Sequence, residues 1–143
     1  ARLQATQTEV ADLDQILARV QNELFNLGSQ LATRMLDLRP TQPVIKPHHI
    51  ERLEHDIDRY NDDLPELRSF VLPGGGPLGA ALHLSRTVCR RAERLAVALS
   101  RRDSVPAEAI QYLNRLSDAL FVWARQAAKA TAQPEVLWQP ETT

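Results

Sequence analysis

Cys89 is the only cysteine in this chain of 143 residues, so no internal disulfide can form and a reducing, cytoplasmic setting is expected. No apolar run approaches the roughly 18–20 residues of a membrane span, and no signal-peptide pattern opens the chain. A surplus of either charge is also lacking. The formal net charge is −1, which argues against a nucleic-acid binder, whose surface needs a basic excess. Lysine is scarce, with only Lys46 and Lys129 beside a large majority of arginines. Strand-like alternation is absent, and neither Cys-x-x-Cys nor His-Glu-x-x-His occurs. No metal site is therefore expected, and the neighbouring His48 and His49, with His55, do not make one. The glycine cluster Gly74–Gly76 is not a phosphate-binding Walker loop, because no Gly-Lys-Ser/Thr follows it and no strand precedes it.

What is present is 43% hydrophobic residues, enough for one domain with a core. Val10, Leu13, Leu17, Val20, Leu24, Leu27 and Leu31 alternate by three and four, predicting a helix from about Thr8 to Arg34. Gly28 interrupts it, either as a tolerated glycine or as a point of close approach. Pro40, Pro43 and Pro47 break the chain before a second helix carrying Ile50, Leu53, Ile57, Tyr60 and Leu64. After the break at Phe70–Pro77, a third helix is expected from Pro77 to Arg101, with proline in its first turn. Ser104 and Pro106 open a fourth, with Ile110, Leu113, Leu120, Phe121 and Ala124 inward. Residues 130–143 read as an extended tail that can dock Trp138 on the bundle. The expected fold is a single all-α domain over 1–143, an antiparallel helical bundle.

The third helix carries the sharpest signal. Between residues 86 and 94 it holds four arginines and one glutamate. Arg86, Arg90, Glu93 and Arg94 fall within roughly a quarter of the helix circumference. Arginines four apart repel by about 0.2–0.5 kcal/mol per pair in an isolated helix. Such a face suits an anion or a partner carboxylate. Leu84, Val88, Ala92, Leu95 and Leu99 lie opposite and read as the core stripe.

Several phrases occur in a fixed order: Gln21-Asn-Glu-Leu-Phe-Asn-Leu-Gly28 with Leu31-Ala-Thr33, Leu53-Glu54 with Ile57-Asp58, and Leu64-Pro65 with Phe70-Val-Leu-Pro-Gly-Gly75. They continue with Leu82-His83, Arg86-Thr-Val-Cys-Arg-Arg-Ala-Glu-Arg94, Tyr112-Leu-Asn-Arg-Leu-Ser-Asp118, Leu120-Phe121 and Ala124-Arg125. Together they resemble the PduO-type ATP:cob(I)alamin adenosyltransferases, or corrinoid adenosyltransferases, from about Val10 to Arg125. The resemblance implies a five-helix bundle, of which four helices are visible in this sequence, and a homotrimer with sites between subunits. It implies transfer of the 5′-deoxyadenosyl group of ATP to cob(I)alamin, with Mg2+ accompanying the ATP. A flavoprotein reductase and an adenosylcobalamin-dependent mutase are the further partners expected; nucleic acid and membrane are not. Members of this family begin with a Thr-Arg-Thr-Gly-Asp type segment around the ATP phosphates and a first helix with Asp-Glu-Leu-Asn. Neither is in the 143 residues, and both are expected upstream of Ala1.

Carried over residue by residue, the resemblance makes Arg90 and Glu93 the catalytic pair, Arg90 on the triphosphate and Glu93 orienting arginines or meeting ribose or cation. Arg90, Arg91, Ala92, Glu93, Arg94 and Asn114 form the expected ATP-binding set. Arg86 is the expected partner of an amino-terminal aspartate across the subunit interface, and Asp118 an anchor for a neighbouring arginine. Phe70 is the expected cobalamin-binding residue, an aromatic on the lower corrin face; read from the residues alone it is a core plug before a loop. His83 is expected to be structural. Two other functions fit the same residues: a carrier delivering adenosylcobalamin to a mutase, and a catalytically inactive interaction bundle.

Overall fold

The structure, a computed structural model, describes residues 8–142 and the side chains of residues 11–141. Four helices follow one another: α1 (Thr8–Ala32), α2 (Pro47–Asn61), α3 (Gly76–Ser100) and α4 (Ala107–Ala130). Single 3₁₀ turns stand at Met35–Asp37 and Pro140–Thr142. Among the described residues the only extended pairing is an isolated antiparallel bridge, Val71 to Leu137. The all-α expectation holds, and the ends of α1 and α3 lie within two residues of those expected, but Leu64, expected on the second helix, lies beyond its end at Asn61.

α4 is the centre, in contact with each of the other three helices. Its Tyr112, Leu116 and Trp123 are fully buried, and Ala109, Ala119, Ala124, Ala127 and Ala128 are buried beside them. That density of alanine lets neighbouring backbones come close while preserving helix propensity. Trp123 was not among the expected inward residues of this helix.

On α1, Leu13, Leu17, Val20 and Leu27 are buried as the seam requires, joined by Ile16. Leu24 departs from the expectation at 38% exposed, because it borders an open groove; the Val10 side chain lies outside the described residues. Polar side chains fill the α1–α2 contact. Arg19 donates to Asp56 at 2.6 Å, Arg59 pairs with Asp12, and the Gln30 side chain accepts the Ile45 N–H at 3.0 Å. A Cβ at Gly28 would meet nothing within 4 Å, so this glycine serves no close approach among the described residues.

The break before α3 depends on Gly75 and Gly76, both in the left-handed region with φ of 77° and 75°, where side chains are strained. Pro77 then sits in the first turn. α3 corrects one expectation outright. Leu84, Val88 and Leu95 are 66%, 61% and 61% exposed and Leu99 is 37% exposed, so they are not a core stripe. The buried positions are Leu78, Gly79, Leu82, His83, Cys89 and Ala96. Small residues on that face allow α3 to approach α4 closely, which rotates the larger aliphatic side chains toward α1 and solvent. Leu84, Val88 and Ala92 line one wall of an apolar groove of about 470 Å³, with Leu17, Val20 and Leu24 on the opposite wall. No described helix is long and apolar enough to cross a membrane.

Candidate functional site

Glu93 is the hub of the arginine-rich segment. Its side chain is 13% exposed and faces α4. One carboxylate oxygen accepts from Arg90 at 2.6 Å, and the other accepts from the Asn114 amide at 3.0 Å. Asn114 in turn accepts from Arg115, at 3.2 Å from Nε and 2.7 Å from the terminal nitrogen. Arg115 also meets Asp118 at 3.0 Å. A continuous chain of charge-assisted bonds therefore runs Arg90–Glu93–Asn114–Arg115–Asp118 across two helices. Such bonds are roughly twice as strong as neutral ones. A concave volume of about 490 Å³ opens beside it, lined by Glu54, Glu93, Gln111, Asn114 and Arg115.

This brings together Arg90, Glu93, Asn114 and Asp118 of the expected set and adds Arg115, which sequence reasoning passed over. Its position inside the Tyr112–Asp118 phrase was the available signal. The other expected residues lie apart. Arg91 and Arg94 are exposed, and Ala92 faces the apolar groove between α1 and α3.

Arg86 sits one turn toward the start of α3, over the Phe121 ring at 5.3 Å, and its buried Nε has no hydrogen-bond partner. A buried guanidinium nitrogen left unpaired is costly. His83 packs edge-on against Phe121 at 6.1 Å. Burial, then the Arg86 charge, lowers its pKa, keeping it a neutral packing residue. Cys89 is buried and its Sγ–H donates to the Leu113 carbonyl at 3.2 Å, while burial pushes the thiol pKa up to about 12.

Phe70 is not a core plug: its ring is 76% exposed on the loop before α3. Fourteen residues of helix separate Gly76 from Arg90, about 21 Å at 1.5 Å per residue. One chain thus carries the arginine–carboxylate network and a solvent-facing aromatic at separated places. Among the described residues no group of three or more His, Cys, Asp or Glu is placed to hold a metal ion. His49 instead accepts the Lys46 N–H at 2.9 Å, capping α2.

The chain matches the model of the cobalamin adenosyltransferase family over residues 1–127. It is 47% identical over 131 residues to the corrinoid adenosyltransferase of Mycobacterium leprae (strain TN), covering 87% of this chain and 67% of that relative. Among solved structures it is similar to a variant PduO-type ATP:corrinoid adenosyltransferase from Lactobacillus reuteri complexed with cobalamin and ATP. The TM-score is 0.86 at 35% identity, over 94% of this chain and 75% of that one. A second variant of that enzyme, complexed with ATP, gives a TM-score of 0.85 at 33% identity, over 94% of this chain and 75% of that one.

Proposed function

Because the chain belongs to the cobalamin adenosyltransferase family, we propose that it transfers the 5′-deoxyadenosyl group of ATP to the cobalt of cob(I)alamin, releasing triphosphate. The observation that carries this reading is the Glu93 carboxylate tying Arg90 of α3 to Asn114 of α4 beside an open cavity. The cobalt electron pair forms the Co–C bond while the bond from the ribose 5′ carbon to the triphosphate oxygen breaks, its electrons leaving with triphosphate. Cobalt passes from Co(I) to alkyl-Co(III), and no proton has to be abstracted. Charge grows on the leaving oxygens, and a guanidinium already held in place by Glu93 stabilises it more in the transition state than in bound ATP. Arg90 is the catalytic residue in this reading and Glu93 its positioning partner. Asn114 binds the nucleotide, Arg91, Ala92 and Arg94 complete the segment around it, and Asp118 anchors Arg115. Mg2+ accompanies the ATP, whose phosphate oxygens, together with water, would supply its ligands.

Phe70 supplies the lower wall of the corrin site, where an apolar ring keeps the axial base and water off cobalt. Its separation from Arg90 along α3 supports sites formed between subunits of a homotrimer, with the unpaired Arg86 Nε meeting an aspartate from the amino-terminal region. The apolar groove between α1 and α3 is suited to the apolar face of the family's amino-terminal helix. A flavoprotein reductase supplies Co(I) in a reducing cytoplasm, and a mutase receives the product.

The test is product analysis with ATP and chemically reduced cobalamin, using the protein with its preceding residues. Adenosylcobalamin and intact triphosphate in equal amounts are expected; phosphate and diphosphate as the primary products would overturn the reading.

A further inference from the structure

Phe70 has little around it to fix its ring, being 76% exposed on a loop between helices. The tail beyond α4 supplies what the loop lacks. The Trp138 N–H donates to the Phe70 carbonyl at 2.7 Å and the Leu72 N–H to the Val136 carbonyl at 2.8 Å. The Ser69 hydroxyl adds a bond to the Trp138 carbonyl at 2.9 Å. These bonds frame the Val71–Leu137 bridge and set the Trp138 ring edge-on to Phe70, with centroids 6.0 Å apart and planes at 60°. The tail is itself anchored at its root. Buried Arg125 donates to Glu135 at 3.0 Å and to the Pro65 carbonyl at 2.8 Å, so one guanidinium holds both the tail and the loop against α4.

The register is specific. A strand pairing shifted by one residue would turn Trp138 to the opposite face; the three bonds and the ring contact all hold it on the Phe70 side. Trp138 is 44% exposed, so the two rings together present an apolar surface to solvent.

We propose that Trp138 is a positioning residue for the lower corrin wall: the tail is a strap that holds Phe70 in the orientation that keeps the axial base off cobalt. This rests on the role given to Phe70 above. The strap couples cobalamin binding, rather than ATP binding, to the carboxy-terminal segment.

The experiment compares Trp138→Ala, Trp138→Phe, Phe70→Ala and the double alanine variant, in the protein with its preceding residues, with helicity checked by circular dichroism. One readout is the fraction of cob(II)alamin without an axial ligand in the presence of ATP, by absorbance and electron paramagnetic resonance. The second is KM for cobalamin against KM for ATP. Loss of an edge-to-face partner predicts a fall of about two- to tenfold in the ratio of ligand-free to base-ligated cobalt for Trp138→Ala. A matching rise in cobalamin KM, unchanged ATP KM, and recovery in Trp138→Phe are expected, with no further loss when Trp138→Ala is added to Phe70→Ala. If Phe70→Ala lowers the ratio and Trp138→Ala does not, or if Trp138→Ala weakens both substrates equally, the strap is wrong. If Phe70→Ala itself behaves as wild type, the Phe70 assignment fails, and the proposal falls with it.

Discussion

Arg90 makes its described bond to a carboxylate that is shared with Asn114, which separates placement from charge. Arg90→Lys keeps the charge but loses the planar fork that can hold Glu93 and a phosphate together. We expect kcat to fall about 10²–10³-fold in Arg90→Ala, the scale for removing one preorganised transition-state donor, with Arg90→Lys also impaired; steady-state kinetics on the intact assembly measures it. Near-wild-type turnover in Arg90→Ala would remove Arg90 from the reaction. Cys89 gives a pH prediction. Its ordinary pKa of 9.0 is raised to about 12 by burial, so above pH 9 the unfolded thiol loses its proton while the folded one keeps it. Unfolding then releases protons, and stability falls by up to about 1.4 kcal/mol per pH unit between pH 9 and 12. Buried Tyr112, raised in the same direction, adds to the decline at its upper end. Urea titrations from pH 7 to 10.5 should show a shallower slope for Cys89→Ala; equal slopes would mean the thiol does not contribute. Arg90, Glu93, Asn114 and Arg115 all lie in the ordered phrases, but nothing in the sequence set Arg115 apart from the other arginines. An arginine exposed on one helix and an arginine bonded to an asparagine look alike until the neighbouring helix is in place.

Helices α1, α2 and α4 are joined by a buried polar set that periodicity alone does not disclose. Glu23, 5% exposed, accepts from the Tyr112 hydroxyl at 2.7 Å and lies 3.3 Å from Arg19, which reaches on to Asp56. Tyr112→Phe removes one partner and leaves the buried carboxylate under-satisfied, a loss of about 1–3 kcal/mol to be read from urea unfolding; an unchanged midpoint would contradict it. Two glycines inside helices should respond in opposite ways to alanine. At Gly28 the added methyl meets open space, so Gly28→Ala should stabilise α1 by about 0.5–1 kcal/mol. At Gly79 it would stand 2.6 Å from the Gly74 carbonyl oxygen, a backbone atom that cannot swing away, so Gly79→Ala should destabilise. Thermal melts of the two variants moving the same way would refute the packing at one of them. Nothing in the sequence distinguishes these glycines beyond the loop beside Gly79.

Across the whole molecule, the unfilled space between α1 and α3 is the clearest sign that the described residues do not bury all the apolar surface they carry. Leu84 and Val88 stand in that gap, 66% and 61% exposed, on the wall of the groove. In the 143-residue chain, Val88→Glu should change stability by less than about 0.5 kcal/mol, as for other exposed positions. With the family's amino-terminal helix joined to the chain, the same change should cost about 1.5–3 kcal/mol, the scale of burying one aliphatic side chain. Urea unfolding of both forms measures the difference, and equal effects would show that the groove stays open.

Local chemistry was enough to determine the four helices of the described residues, most of their ends, and the proline and glycine breaks. Each of these is set within a few residues by periodicity, by a missing proline N–H, or by a backbone that only glycine tolerates. The rotation of α3 was decided in three dimensions. The face it buries carries Leu78, Leu82 and His83 with the smaller Gly79, Cys89 and Ala96 and packs on α4, whereas Leu84, Val88 and Leu95 stay largely exposed. That choice turns Glu93 toward Asn114, buries the Arg86 Nε without a hydrogen-bond partner, and exposes Leu84 and Val88. The tail's grip on Phe70 was likewise a tertiary decision, since Phe70 and Trp138, 68 positions apart in the sequence, pair only after α3 and α4 have folded back on each other.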